Sequence, residues 1–164
     1  MRCLIAALVC LCVHGCTSVN GGAVELSWKL RPASGATDNF VDCDSDGRLV
    51  DSKGQLYSNT GQLSTIRLHW EIDDVDSFTD FKCSASHGVT TFELHPGEAF
   101  LWVTPVCDDA GFVFDAVDNT FSAPAPQQRS VIAGNTIDLG AVELVLEVSS
   151  CVLNPTPQQF CICQ

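Results

Sequence analysis

The chain is poor in positive charge and shows no helical pattern. Lysine and arginine together number 8 against 20 aspartates and glutamates, a formal net charge of -12. A surface of that sign repels phosphate backbones and offers no basic patch to anionic lipid, so nucleic acid is not an expected partner. No window repeats apolar residues at spacings of three and four behind a capping residue, which argues against amphipathic helices. Also missing are C-x-x-C pairs, a nucleophile elbow, a glycine-rich phosphate cradle and a zinc-protease motif. The sequence therefore reads as non-enzymatic. A hydrolase would have to bring a histidine, a carboxylate and a hydroxyl into one pocket from distant positions.

What the chain does have is one long apolar run, at its start. Arg2 precedes eleven apolar residues from Cys3 to Val13, and Thr17, Ser18, Asn20 and two glycines follow closely. Spanning a bilayer needs about 20 apolar residues, so the segment reads as a secretory signal. Its end, Val13-His14-Gly15-Cys16, closely resembles the lipobox of bacterial lipoproteins. That resemblance implies that the Cys16 thiol carries a diacylglycerol and that cleavage makes Cys16 the first mature residue. Val13 and Gly15 also suit an ordinary cleaved signal, which is the alternative. Thr17 is not the aspartate that resembles an inner-membrane retention signal, so the resemblance implies an outer-membrane lipoprotein of a Gram-negative envelope, facing the periplasm or the exterior.

The remaining roughly 149 residues suit a single domain with a proper core. Boundaries are expected at 1–15 for the signal, 16–22 for a tether, 23–148 for the domain and 149–164 for a cysteine-rich tail. Of ten cysteines, Cys3, Cys10 and Cys12 fall in the signal and Cys16 at the anchor. Cys43, Cys83, Cys107, Cys151, Cys161 and Cys163 are left, an even set that implies disulfides in an oxidising compartment. Cys43 with Cys83 is the first pairing expected, because they border a long insertion and the third strand. Cys161 and Cys163 are expected to tie the tail to the domain rather than to hold metal.

Apolar residues alternate with polar ones at Val24, Leu26, Trp28 and Leu30, at Ile66, Leu68, Trp70 and Ile72, and at Val142, Leu144, Leu146 and Val148. A period of two marks half-buried strands. Shorter candidates run over Phe78–Ser84, Thr90–His95, Ala99–Val106, Gly111–Ala116 and Arg129–Ala133, separated by glycine, proline and aspartate. The pattern predicts an all-β, antiparallel two-sheet sandwich of seven or eight strands, stapled by disulfides. Trp28 and Trp70 are expected in the core, and Trp102 on the opposite face of its strand.

The run Phe92-Glu93-Leu94-His95-Pro96-Gly97-Glu98-Ala99-Phe100-Leu101-Trp102-Val103 resembles the strand, Pro-Gly turn and strand of carboxypeptidase-regulatory-like and transthyretin-like domains. Gly134 to Leu144 resembles their closing strand. The resemblance implies a prealbumin-like or Ig-like sandwich that serves as a spacer, adhesion or assembly module.

Asp42-Cys43-Asp44-Ser45-Asp46-Gly47-Arg48-Leu49-Val50-Asp51 is the one stretch that suggests a cofactor. Carboxylates at alternating positions before a glycine can wrap calcium, with Asp42, Asp44, Asp46 and Asp51 as ligands. Lys53 stands where a calcium loop places its bidentate glutamate, so a solvated acidic turn is the competing reading. Asp73, Asp74, Asp76 and Asp80 form a second acidic group, expected as a water-facing loop. His69, His87 and His95 share no metal-ligand spacing. The expected function is that of a lipid-anchored structural or interaction module with an envelope protein or glycan as partner. The alternative is a carbohydrate-binding or calcium-dependent adhesion module that uses Trp102, Phe100 and Phe112.

Overall fold

A computed structural model describes residues 19–33, 40–57, 62–109, 111–116, 119–148 and 162–163. The segment expected to be a signal, Cys16, Cys151 and Cys161 lie outside these residues. The strands are β1 (Ala23–Pro32), β2 (Asp42–Cys43), β3 (Leu49–Val50), β4 (Gln62–Ile72), β5 (Val75–Lys82), β6 (His87–Val89), β7 (Gly97–Asp109), β8 (Phe112–Asp115), β9 (Phe121–Ser122), β10 (Gln127–Val131) and β11 (Thr136–Leu146). A 3₁₀ turn, Cys83–Ala85, follows β5. One sheet has the order β6-β1-β11-β9, and a second has β10-β7-β4-β5 with β8 beside β7. β2 and β3 form a small hairpin. The chain is all-β, as its patterning predicts.

Both large sheets turn alternate residues into one core. From β1 come Val24, Leu26, Trp28 and Leu30, and from β11 Val142, Leu144 and Leu146, followed by Val148. Ile66, Leu68, Trp70 and Ile72 of β4 meet them with Leu101 and Val103 of β7. A buried leucine or isoleucine contributes about 1.5–3 kcal/mol relative to exposure, so these alternating stretches dominate the fold's stability. Trp28 joins the two layers. Its ring stacks on Phe81 of β5 at 6.1 Å, and its indole N–H donates to the Cys83 carbonyl at 3.0 Å. A buried tryptophan thus has its polar atom satisfied.

Asp76 and Asp80, expected in a water-facing loop, lie in β5, paired with Glu71 and Arg67 of β4, and two further expectations need correction. β1 and β11 pair in parallel, from Ala23 opposite Thr136 to Pro32 opposite Leu146. Parallel neighbours need a crossover, and here all the intervening strands supply it. The pair carries a bulge where Gly140, at φ 68°, takes a left-handed conformation that a side chain would resist. The other correction concerns Thr90–His95, which is not a strand. Thr90 exchanges bonds with Val24, its amide donating to the Val24 carbonyl and its hydroxyl accepting from the Val24 amide, both at 2.9 Å. Leu94 then pairs with Gly22, while Glu93 folds back to donate to the Thr91 carbonyl. The segment is anchored to the start of β1 at both ends and loops between, so the expected Pro-Gly hairpin is absent. A Cβ on Gly21 would lie 2.3 Å from the Phe92 carbonyl oxygen, which explains glycine there.

Disulfides Cys43–Cys83 and Cys107–Cys163 are present. The first ties the β2–β3 hairpin to the turn after β5, as expected from the sequence. The second fastens the end of the chain to β7, and Ile162, fully buried, donates its amide to the Glu147 carbonyl. Closing loops of 40 and 56 residues removes chain entropy from the unfolded state, about 4 kcal/mol for each bridge.

Candidate functional site

Among the described residues, the outward face of the second sheet gathers polar and aromatic side chains from three strands. β4 is central and presents Arg67, His69 and Glu71 between its inward residues. Register places Asp80, Phe78 and Asp76 of β5 opposite them on one side, and Thr104, Trp102 and Phe100 of β7 on the other.

Arg67 organises one end. Its Nε donates to Asp80 Oδ1 at 2.7 Å and its Nη2 to Asp80 Oδ2 at 2.8 Å, a bidentate pair. Nη1 donates to Asp115 Oδ1 of β8 at 3.0 Å. The guanidinium carbon stands 4.0 Å from the Phe78 ring centre. The Asp80 hydrogen bond is the main reason the guanidinium holds its proton even more firmly than usual. The Arg67 side chain is only 14% exposed. That places this ion pair among those whose loss matters, unlike freely solvated pairs.

His69 organises the middle. Its Nε2 is 2.8 Å from Thr104 Oγ1, and its ring lies parallel to Trp102 at 5.0 Å between centres with 4° between planes. Desolvation pushes its pKa below the usual 6.5, opposed mainly by the field of Asp115. With Nε2 engaged by Thr104 and its ring stacked on Trp102, the imidazole is part of a hydrogen-bonded surface. One face of Trp102 is covered by His69, so this ring does not offer both faces to a sugar. Phe100 is 46% exposed and Phe112 79%. By register Phe112 shares the side of Phe114, which packs on the core, and not that of Asp115. The three rings do not form one row.

The Asp42–Asp51 loop is built around its own cation. Asp44 Oδ1 accepts from the amides of Asp46 and Arg48 at 2.9 Å each, and Asp44 Oδ2 accepts from Arg48 Nε at 2.8 Å. The Arg48 backbone amide is the main reason the Asp44 pKa falls below the usual carboxylate range. Arg48 Nη2 also reaches Asp46 at 3.1 Å. Asp51 caps a separate turn, accepting from the amides of Lys53 and Gln55 at 2.8 Å. Asp42 accepts from the Cys43 amide. The four carboxylates therefore divide: Asp44 and Asp46 meet at Arg48, whereas Asp42 and Asp51 line a cleft. Among the described residues no three histidine, cysteine, aspartate or glutamate side chains converge as metal ligands.

That cleft, about 740 Å³, lies against β1, with Trp28, Leu30, Phe40 and Val41 as apolar walls. Lys29 sits 5.6 Å from the Phe40 ring centre beside it. A second cleft of about 470 Å³ is lined by Trp70, Ile72, Ser77, Glu93 and His95. It holds the residue types a hydrolase would need. A nucleophile and its base must lie within hydrogen-bond reach, and among the described residues no hydrogen bond joins His95 to Ser77 or Glu93. Glu93 instead accepts from Thr79.

Sequence reasoning missed the Arg67 cluster. Alternation marks Arg67 and His69 as outward, but their partners lie 13, 48 and 35 positions away. Only the pairing register brings them together. No protein-family model, curated protein sequence or solved structure matches this chain.

Proposed function

We propose that this chain is a non-enzymatic, lipid-anchored module of the cell envelope that acts through its surface. The observation that carries the reading is the sequence Val13-His14-Gly15-Cys16 behind a short apolar run. It supports Cys16 as the lipid attachment site, and Thr17 after it favours the outer membrane as the location. The finer fold reading belongs with it. Eight strands of three residues or more, in two sheets sharing one core, support a prealbumin-like or Ig-like sandwich, a scaffold that displays surfaces. The bridges Cys43–Cys83 and Cys107–Cys163 favour an oxidising compartment. The partner is an envelope protein or glycan, met by the ring-and-charge face around Arg67 and His69.

A second reading, glycan binding, draws support from Phe100 and Trp102, which stand on one outward face. Calcium at the Asp42 loop belongs to that reading. The anchor is tested by Cys16→Ser. The variant should leave the detergent phase for the aqueous one, and intact mass should fall by the lipid. Retention in the membrane fraction would refute the lipoprotein reading.

A further inference from the structure

β5 is the longest strand that ends a sheet. β6 has three residues, β9 two and β10 five, but β5 has eight. Among the described residues nothing pairs with its second edge. Long free edges invite pairing, and proteins usually shorten them or cover them. Among the described residues β5 is neither short nor covered; its only guard is the charge of Asp76, Asp80 and Lys82, and it keeps Phe78 53% and Val75 65% exposed.

The hairpin that starts β5 determines which of its backbone groups face outward. Asp73 and Asp74, both at positive φ, form the two-residue turn between Ile72 and Val75. In such a turn Ile72 and Val75 are hydrogen-bonded to each other. Alternation along an antiparallel ladder then directs the amides and carbonyls of Val75, Ser77, Thr79 and Phe81 toward β4. Those of Asp76, Phe78, Asp80 and Lys82 point to the free edge.

We propose that this edge pairs antiparallel with the same edge of a second copy of the chain, centred on Thr79. The inference is independent of the membrane anchor. Only registers that set even-numbered residues opposite even-numbered residues can satisfy the outward groups. Centring on Phe78 would set Asp76 against Asp80, and centring on Asp80 would set Asp80 against itself. Like charges directly opposite are destabilising. Centring on Thr79 sets Asp76 opposite Lys82 of the second copy. Two-fold symmetry repeats that pair at the other end. The seven residues from Asp76 to Lys82 all take part. The two Phe78 rings become diagonal neighbours, about 7–8 Å apart and within reach of each other.

Charges within one chain favour the same register. Asp76 faces Glu71 across β4 and Lys82 faces Thr65. Neither the Asp76 nor the Lys82 side chain makes an ion pair or hydrogen bond among the described residues, whereas Asp80 is held by Arg67. The pairing supplies Asp76 with the cation that its own chain gives to Asp80.

A zero-length carbodiimide crosslink tests this on the full chain in detergent. Within one strand Asp76 and Lys82 are six residues apart, about 20 Å, so an amide between them can form only between copies. A crosslinked dimer carrying that amide is expected, together with a dimer mass by native mass spectrometry at high protein concentration. Asp76→Lys and Lys82→Glu should each return the mass to one copy, and the double variant should restore two. Both positions are exposed, and recovery in the double variant shows that the single variants fold. Absence of an Asp76–Lys82 link in the parent, a monomer throughout the concentration series, or a dimer unmoved by either single reversal would overturn the proposal.

Discussion

The protein carries two acidic regions, and they handle their charge in opposite ways. In the loop from Asp42 to Asp51, carboxylates and cation are close in sequence. Arg48 is four residues from Asp44, and the bonds between them are local and exposed. In the stretch from Asp73 to Asp80 the cation comes from a neighbouring strand, because Arg67 reaches Asp80 and Asp115 from β4. The local solution shapes a turn. The cross-strand solution ties together β4, β5 and β8, and its energetic weight should therefore be greater.

Arg67→Met is the strongest way to break that contrast. The change leaves Asp80 and Asp115 without a partner and removes the cation above Phe78. A partly buried, bidentate, charge-assisted pair lies between the exposed and fully buried limits, so a loss of about 2 kcal/mol is expected. Urea unfolding of parent and variant measures it through the midpoint at constant slope. Equal midpoints would mean that the cross-strand cluster is no more than surface decoration.

The two regions were unequally legible in the sequence. The inward residues of β1, β4 and β11 follow from alternation alone, since each strand buries one face regardless of its neighbours. The Cys43–Cys83 bridge was legible too, because the cysteines flank the insertion. The parallel pairing of β1 with β11 was not, because a period of two is the same in either direction. Thr90–His95 misled for a related reason. Its residues favour extended structure, but their backbone groups are spent on Gly22 and Val24. The Arg67 cluster depends on register, which no local pattern encodes. The Arg48 turn was present in the spacing Asp44, Asp46 and Arg48, although calcium offered an equally local use for the same carboxylates.

His69 gives a pH-dependent measure of the outward face. Burial against Trp102 and Thr104 lowers its pKa below 6.5, while Arg67 adds to the lowering and Asp115, Asp80 and Asp76 oppose it. The unfolded chain therefore binds the proton more readily than the folded one. Stability contributed by the neutral ring is intact above about pH 6.5 and is lost as pH falls through that value toward the folded pKa. Denaturant midpoints from pH 8 to pH 5 should fall for the parent. In His69→Phe, which keeps a ring beside Trp102 but cannot titrate, the fall should be shallower. Parallel profiles would place the acid sensitivity elsewhere.

The smallest effect belongs to the acidic loop, and it sharpens the contrast from the other side. If Arg48 serves there as the built-in cation, Arg48→Ala should barely move the melting temperature in chelator, because exposed ion pairs contribute little. The same substitution frees Asp44 and Asp46 for a metal ion. With an incomplete ligand set, calcium would bind with an affinity of about 0.1–1 mM. Mass action then stabilises the folded state only at millimolar calcium, raising the melting temperature by roughly a few degrees. Arg48→Ala should show that rise more strongly than the parent, since calcium no longer competes with a guanidinium, and magnesium should not reproduce it. Melting curves that coincide in chelator and calcium for both proteins would leave these aspartates as turn-forming acceptors of backbone amides, which their present bonds already make them.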